Sequence, residues 1–375
     1  MSGLYIHIPF CRQACHYCDF HFSTNLTLKN RLVAALVGEI AMQKNYLPQK
    51  TLNSIYMGGG TPSLLTKQDL DLIFDAISTH FSIADGAEIT LEANPDDLTE
   101  QKLDDLRQTP INRLSIGIQS FVEEDLKQMN RAHTTTQALR CVPLAQDKGF
   151  ENLTLDLMYG LPNLTNAQWQ SNLETAVGLG VNHVSGYCLT VEDKTALIHL
   201  IKKGSIKALD EEKCAKQFDI LVNFLVQSGF NQYEISSFAK PNFEAVHNSN
   251  YWGQQPYLGI GPSAHSFDGK DTRQWNVANN TAYIEAIGSG KMPSTTEQLT
   301  PKNKFNERLM LGLRMQKGID LNGIKTHFGQ AFLEHLTHNL HNVNPLHYDV
   351  ANQRLSLTPR GKLFADAVAS TLFWV

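Results

Sequence analysis

The strongest constraint on the fold of this 375-residue chain is an alternation of short apolar runs with helical patterns over its first half. Six apolar runs predict β-strands, at 4–8, 53–57, 88–92, 112–118, 153–158 and 182–189. The predicted helices between them are 28–42, 66–80, 99–107, 135–148 and 166–179. Such alternation predicts parallel strands with helices packed outside. Six units are fewer than the eight of a closed TIM barrel, so we predict an α/β fold with an open, partial (β/α)6 TIM-like barrel.

The pattern changes after residue 190. Asp210 is a suitable N-cap for a further helix. A stretch rich in glycine, proline and aromatic residues follows, "HNSNYWGQQPYLGIGPSAHSF". Beyond it we predict three helices, a hairpin and a final helix, at 305–316, 320–328, 330–341, 346–358 and from Pro359. This order is typical of a winged helix. The predicted domains are therefore a barrel (1–240), a connecting segment (241–300) and a mostly helical, winged-helix-like domain (301–375).

Charge and hydropathy argue against several classes of protein. The net charge is −5 and there is no basic stripe, which argues against a nucleic-acid partner. No apolar stretch reaches membrane-spanning length, and the first ten residues do not read as a secretory signal. Cys141, Cys188 and Cys214 are scattered singly, which suits core residues in a reducing compartment. We therefore expect a cytoplasmic protein, with any membrane association peripheral and through partners.

Three of the six cysteines fall within eight residues, in "CRQACHYC" directly after the first predicted strand. One short loop with three thiolates can hold three irons of a [4Fe–4S] cube, and most such clusters use four cysteines. No fourth cysteine is near Cys11, Cys15 and Cys18, so one iron would stay open to another ligand. The alternatives are zinc with His16 or His21 as fourth ligand, and purely structural cysteines. The ligands of a zinc site usually come as two well-separated pairs, and no second pair is present here. The spacing therefore favours the cluster.

The cysteine motif resembles that of the radical S-adenosylmethionine (SAM) proteins. The resemblance implies a partial barrel of six βα units, which agrees with the count from the sequence alone. It also implies that SAM chelates the open iron. Polar residues suit a SAM site at the carboxyl ends of the predicted strands. Glu92, Gln119 and Asp156 could hold the ribose and the amino group, and Arg131 could contact the carboxylate through two hydrogen bonds.

The resemblance narrows to one branch of this superfamily. "LYIHIPFC", "YMGGGTPS", "EANPDDLT", "RLSIGIQSF", "LDLMYGLP" and "LTPRGKLFAD" are similar to the oxygen-independent coproporphyrinogen III dehydrogenases and the haem chaperones related to them. The similarity runs nearly end to end. It implies a set of SAM-site residues: Tyr5, Gly59, Gly60, Thr61, Glu92, Gln119, Arg131 and Asp156. Tyr17 would pack against the adenine.

Three differences favour the chaperones over the dehydrogenases. The dehydrogenases carry a further cysteine two residues after the third ligand, where this chain has Phe20. They also begin with a long segment that covers the site, whereas three residues precede the first strand here. Finally, "HNSNYW" (247–252) resembles the His-Asn-x-x-Tyr-Trp motif of the chaperones. His247 is therefore a candidate haem ligand, although its motif could equally shape the following turn, and His265 is a second candidate.

The sequence thus predicts a haem chaperone that carries haem as cargo to haem-requiring apoproteins, on a core with a [4Fe–4S] cluster and SAM. The alternative is an enzyme that decarboxylates two propionates of coproporphyrinogen III. A third possibility is a radical SAM enzyme acting on another tetrapyrrole. Phe20 and the histidine motif argue against an active dehydrogenase. The sequence leaves open which apoprotein receives haem and whether SAM is cleaved.

Overall fold

The computed structural model describes residues 1–375, which form fifteen strands and fourteen α-helices. The strands are β1 (Gly3–Ile8), β2 (Thr51–Gly59), β3 (Ser82–Ala93), β4 (Arg113–Gln119), β5 (Asn152–Tyr159), β6 (His183–Cys188), β7 (Asn231–Gln232), β8 (Ser237–Ala239), β9 (Tyr257–Ile260), β10 (His265–Phe267), β11 (Thr272–Asn276), β12 (Ser294–Gln298), β13 (Ile319–Asp320), β14 (Tyr348–Ala351) and β15 (Arg354–Leu357). The helices are α1 (Lys29–Met42), α2 (Lys67–His80), α3 (Glu100–Arg107), α4 (Glu123–Gln128), α5 (Thr135–Asp147), α6 (Asn166–Gly178), α7 (Ala196–Lys202), α8 (Glu211–Gln227), α9 (Val246–Trp252), α10 (Asn280–Gly288), α11 (Pro301–Arg314), α12 (Leu321–Phe328), α13 (Gln330–Asn339) and α14 (Ala365–Leu372).

The six predicted strands form one parallel sheet in chain order, β1 to β6, with helices α1 to α6 in the crossovers. This confirms the α/β fold with a partial six-unit barrel. The sheet continues on both sides. Strand β9 pairs parallel with β1 and leads into the antiparallel β10, β11 and β12, while β8 and β7 follow β6. No helix is long and apolar enough to span a membrane.

The alternation within β1 shows how the sequence builds the barrel. Leu4, Ile6 and Ile8 are fully buried in the main core. Tyr5 and His7 alternate with them and therefore point to the opposite, inner face. In register with these two, β2 presents Tyr56 and Gly58. The inner face of the sheet is thus polar and aromatic, which leaves space for a ligand rather than a packed interior.

Capping residues fix where the outer helices begin. Thr66, Thr134 and Thr165 each accept the backbone N–H three residues later, in a capping box. Thr300 does the same for α11, with Pro301 at its first position. That cap makes α11 begin four residues earlier than the predicted start at 305. The last helix begins later than predicted, because residues 361–364 form a 3₁₀ turn.

Residues 241–300 add elements that the sequence pattern does not reveal. They contribute β9 to β12 to the main sheet, together with α9 and α10. Tyr283, Ile284 and Ile287 of α10 pack into the same core as the barrel. The strands are short and β12 is mostly exposed, so no alternation of apolar residues marks them. The division at 240 remains a prediction about folding units.

The C-terminal residues enclose a second, smaller core of fifteen buried side chains, from Phe305 to Leu372. Their element order is α11, β13, α12, α13, β14, β15 and α14, with the three strands in one antiparallel sheet. A mostly helical C-terminal region of winged-helix order is therefore present.

The burial of the three scattered cysteines differs from the prediction that all of them are core residues. Cys141 is buried in the core, but Cys188 and Cys214 are only half-buried.

Candidate functional site

A cavity of about 720 Å³ opens between the inner face of the barrel, strands β9 to β11 and helix α11. Its wall is rich in aromatic rings, with five tyrosines, four histidines and two phenylalanines. The lining residues are Tyr5, His7, Asp19, Phe20, His21, Tyr56, Glu92, Tyr187, His247, Asn248, Tyr251, Gln254, Tyr257, Ser263, His265, Phe267, Arg273, Glu307, Met310 and Leu311. Its size and composition suit a large aromatic ligand.

The cysteine loop lies at the carboxyl end of β1, at one end of this cavity. Backbone hydrogen bonds of Cys11 with Ser23 and of Ser23 with Pro9 close the loop at its base, at 3.1 and 2.8 Å. Cys11, Cys15 and Cys18 are all partly exposed. Burial raises the pKa of Cys11 and raises that of Cys18 to about 11, and the nearby thiols add to both shifts. A cationic metal centre would reverse this tendency and hold the thiolates.

Other segments hold the loop in place. Arg12 forms an ion pair with the buried Asp97 at 2.8 Å. Gln13 donates to the Oδ1 atom of Asn130 at 2.7 Å, and Asn130 donates to the carbonyl of Ala14 at 2.7 Å. The loop is therefore positioned by two different βα connections, and its thiols are preorganised.

The zinc alternative finds no support in the geometry. The Nδ1 atom of His16 contacts the carbonyl of Gln128 at 2.9 Å, and the Nε2 atom of His21 contacts the side chain of Asn280 at 2.8 Å. Both rings thus interact away from the thiols. No three His, Cys, Asp or Glu side chains converge as ligands of one ion. A cube needs no such convergence, because each thiolate binds a different iron.

Arg131 lies against the cysteine loop and is half-buried. Its Nη2 atom donates to the side chain of Asn94 and to the carbonyl of Gly117, both at 2.7 Å. Its Nη1 atom lies 3.4 Å from both the Sγ atom of Cys15 and the hydroxyl of Tyr17. The Nε atom is buried and has no partner. Both terminal nitrogens are thus engaged within the protein, and the two-bond contact with the SAM carboxylate stays a prediction.

The glycines after β2 form a cradle beside the loop. A Cβ atom on Gly60 would lie 2.7 Å from the carbonyls of Ile8 and Phe10. Gly59 has a φ of 106°, and a Cβ atom there would lie 2.4 Å from the ring of His7. Any side chain at either position would clash. Thr61, the next residue, donates to the Sγ atom of Cys11 at 3.5 Å.

Two half-buried carboxylates face the barrel interior. Glu92 accepts hydrogen bonds from the Tyr56 hydroxyl at 2.7 Å and from the N–H of Gly59 at 3.1 Å. Burial raises the pKa of Glu92 to about 7. Asp156 accepts from Ser115 at 3.1 Å, and burial raises its pKa as well. Neither carboxylate forms an ion pair with a side chain of the protein, so both suit a ligand that brings hydroxyl donors or positive charge.

The remaining predicted SAM residues lie near these groups or the loop. Tyr5 stacks on Tyr56 at 6.2 Å and bonds to the ring of His7 at 3.0 Å. Tyr17 packs against the main core beside the loop. Gln119 ends β4 with a φ of 67°, a conformation that is uncommon for residues other than glycine and is concentrated at functional sites. The assignment of all these residues to SAM stays a prediction.

His247 lies on the short helix α9, at the other end of the strands from the cysteine loop. The carboxylate of Glu88 accepts the N–H groups of Val246 and His247, both at 2.9 Å, and so fixes the start of the helix. The Nδ1 atom of His247 contacts the Ser54 hydroxyl at 3.0 Å, and its ring stacks on Tyr56 at 5.2 Å. Nε2 has no protein partner, and the residue lines the cavity. Burial lowers the pKa of His247 to about 4, so the ring is neutral at physiological pH.

His265 lines the same cavity from β10 and stacks on Trp275 at 5.9 Å. Sequence reasoning missed His7, Tyr56, Tyr187 and Arg273, which also line it. For His7 and Tyr56 the signal was present as strand alternation with Tyr5. For Arg273 there was none, because strand β11 was not predicted.

Comparison with known proteins identifies the class. The radical SAM superfamily matches residues 5–176, and the HemN C-terminal domain matches residues 299–364. The fold and the cysteine loop thus define a radical SAM protein, a superfamily that implies a [4Fe–4S] cluster and SAM. The chain is 35% identical to the heme chaperone HemW of Bacillus subtilis over 88% of either chain. It is 34% identical to that of Mycobacterium tuberculosis strain H37Rv, over 99% of this chain and 94% of that one. The chain belongs to the HemW family.

One solved structure has the same fold over nearly the whole chain. The coproporphyrinogen III oxidase HemN from Escherichia coli, described as a radical SAM enzyme, superimposes with a TM-score of 0.86. The match covers 99% of this chain and 90% of that one, at 22% sequence identity. At this identity the likeness supports the shared architecture, including the C-terminal region.

Proposed function

We propose that this protein binds haem in the 720 Å³ cavity and transfers it to haem-requiring apoproteins in the cytoplasm. The observation that carries the proposal is the unpartnered Nε2 atom of His247 on an aromatic wall. A neutral imidazole is a common axial ligand of haem iron. The Ser54 contact at Nδ1 orients the ring, as a hydrogen bond on the second nitrogen usually does for a ligating histidine. The names of the HemW relatives support the same reading.

Cys11, Cys15 and Cys18 would hold the [4Fe–4S] cluster. The fit rests on three clustered, partly exposed thiols and on the half-buried cation of Arg131 beside Cys15. That cation lowers the pKa of Cys11 and of Cys18, against the larger rise caused by burial. The protein keeps the loop rigid through its contacts with two βα connections. A reducing compartment suits both the free thiols and the cluster.

SAM would bind between the glycine cradle and the two half-buried carboxylates. The residues proposed for it are Tyr5, Tyr17, Gly59, Gly60, Thr61, Glu92, Gln119, Arg131 and Asp156. The fit rests on the bare backbone at Gly59 and Gly60 and on two carboxylates without a cationic partner. SAM carries an ammonium group, a sulfonium and ribose hydroxyls, which match such acceptors. When bound, the cluster and SAM together supply one-electron chemistry.

The second candidate function is oxidative decarboxylation of coproporphyrinogen III. The shared fold with HemN favours it, since that oxidase is built on the same architecture. Phe20 argues against it, because the dehydrogenase pattern has a cysteine there. Its side chain is 71% exposed and lines the cavity, so an apolar ring replaces a thiol at the mouth.

One experiment separates the two functions. The cluster is reconstituted without oxygen, and haem is added to the wild-type chain and to His247→Ala. We expect a shifted Soret band in the wild type and its loss in the variant, with iron–sulfur content and SAM binding unchanged in both. Haem should then pass to apomyoglobin, a generic acceptor. Turnover of coproporphyrinogen III with SAM and dithionite would establish the dehydrogenase instead, and an unchanged Soret band in His247→Ala would contradict the role of His247.

A further inference from the structure

The charges around the cavity are unevenly distributed. Arg273 is the only lysine or arginine among the twenty lining residues. Asp19 follows the last cysteine of the loop and Glu92 lies beside the glycine cradle, so the residues that line the loop end of the cavity include two carboxyl groups and no cation. A ligand with anionic groups is repelled from that end. Its anionic groups are therefore expected at the wall that carries Arg273.

An aromatic wall connects Arg273 with the helix of His247. Arg273 on β11 lies directly opposite Phe267 on β10, and Phe267 lies opposite Tyr257 on β9. The Tyr257 ring is 5.5 Å from that of Tyr251. Tyr251 follows His247 by four residues on the same helix, so the two share one face. A flat, apolar ligand seated on this wall has Arg273 near one edge and His247 toward the other side.

Most N–H groups of the Arg273 guanidinium have no hydrogen-bond partner in the protein. Its Nη2 atom donates to Glu307 of helix α11 at 2.7 Å, which is the only hydrogen bond of this side chain. The guanidinium has five N–H groups, arranged to receive a carboxylate through two of them. The Arg273 side chain is 28% exposed and that of Glu307 is 15% exposed. The cation is thus accessible from the cavity, and Glu307 keeps it from folding away.

We infer that Arg273 binds a carboxylate side chain of a tetrapyrrole in this cavity, so that the ligand's acidic edge faces β11 and helix α11 and its apolar edges face the cysteine loop. The inference rests on the proposed function and adds to it the residue that holds a free carboxylate of the cargo, and hence the orientation of the cargo in the cavity. It also gives a role to the contact between the barrel sheet and the C-terminal region. The ligand's carboxylate binds Arg273 alongside Glu307, or it displaces Glu307 from Arg273.

The test compares haem with its dimethyl ester, in which both carboxylates are masked. Affinities are measured by Soret titration for the wild type, Arg273→Gln, Glu307→Gln and Arg308→Gln. We expect Arg273→Gln to weaken haem roughly 10- to 100-fold, the size expected for a lost charge-assisted hydrogen bond, and to leave the ester unaffected. Glu307→Gln should strengthen haem binding, because it removes the competing carboxylate.

Arg308→Gln is the matched control. Arg308 follows Glu307 directly and contacts Gln254 at 3.2 Å, but it does not line the cavity. Loss of the Arg308 guanidinium should change neither the affinity for haem nor the affinity for the dimethyl ester. The inference is overturned if the wild type binds haem and the ester equally, or if Arg273→Gln binds haem as tightly as the wild type. Either result leaves the proposed function standing. Failure of the wild type to bind either compound overturns both.

Discussion

The Nη1 atom of Arg131 lies 3.4 Å from the Sγ atom of Cys15, which sets a half-buried cation against the middle cysteine of the loop. The guanidinium is fixed there by Asn94 and by the carbonyl of Gly117. These partners come from the ends of β3 and β4. The barrel itself therefore holds the charge in place, and the charge influences any electron that enters a cluster bound to this loop.

Arg131→Gln is expected to lower the reduction potential of the reconstituted cluster. A unit charge several ångströms away is worth about 2–4 kcal/mol at an effective dielectric constant of about 20, so the shift should be on the order of 100 mV. A redox titration followed by electron paramagnetic resonance measures it. Arg131→Lys keeps the charge and should shift the potential less. An unchanged potential in Arg131→Gln at full iron content would contradict the role of this cation.

Loss of one loop cysteine is expected to lower iron content sharply. Cys15→Ser removes the thiol nearest Arg131 and leaves a loop with two thiolates, whereas the wild type should bind about four irons. Cys214→Ser is the control, because it alters a partly exposed cysteine far along the chain from the loop. Iron and sulfide analysis after anaerobic reconstitution gives the answer. Full loading of Cys15→Ser would remove Cys15 from the ligand set.

Glu92→Gln and Asp156→Asn are expected to weaken SAM without loss of iron. Each change keeps the shape of a half-buried side chain and removes its ability to carry a negative charge. Loss of one hydrogen bond to a ligand is worth about 1–3 kcal/mol, so affinity should fall roughly 5- to 150-fold. Isothermal titration of the reconstituted protein measures this. Glu307→Gln, an acid at another wall of the same cavity, should bind SAM normally. Wild-type affinity in both test variants would refute the proposed SAM site.

The barrel could be predicted from sequence because its signals are local. Strand β1 is marked by Leu4, Ile6 and Ile8 within six residues, and helix α2 by the cap at Thr66. The cysteine loop was also a local pattern. Each of these features depends on residues close in the chain, so composition and spacing were sufficient.

The site as a whole depends on contacts between distant residues. Helix α9 begins at Val246 because Glu88 accepts its N–H, across 158 positions in the chain. No periodic pattern of apolar residues in the sequence predicts that helix, and none of its residues is fully buried. Arg273 reaches the cavity only because β9 extends the sheet beside β1. These relationships arise from the tertiary fold, so the sequence could suggest His247 by resemblance but could not suggest Arg273.

Haem binding is expected to persist to unusually low pH. Burial lowers the pKa of His247 to about 4, whereas an ordinary histidine has a pKa near 6.5. The ring is therefore neutral and able to ligate iron down to about pH 4, and protonation below this value removes the ligand. A Soret titration from pH 8 to 4 should show little loss above pH 5, with circular dichroism as the check on folding. Half-loss near pH 6.5 in a folded protein would contradict this environment of His247.

The half-buried pair Cys188 and Cys214 is expected to show unequal reactivity. A Cβ atom on Gly160 would lie 2.7 Å from the Sγ atom of Cys214 and 3.3 Å from that of Cys188, so the two thiols are neighbours. The neighbouring Cys188 thiol lowers the pKa of Cys214, whereas the pKa of Cys188 is raised by the same pairing and by burial. The Cys214 thiolate therefore forms at lower pH than the Cys188 thiolate, and iodoacetamide should label Cys214 first, with a midpoint below the ordinary value. Peptide mass spectrometry resolves the two sites. Cys188→Ala removes the neighbouring thiol and should raise the midpoint toward the ordinary value of about 8.5, while a midpoint already near 8.5 in the wild type would contradict the pairing.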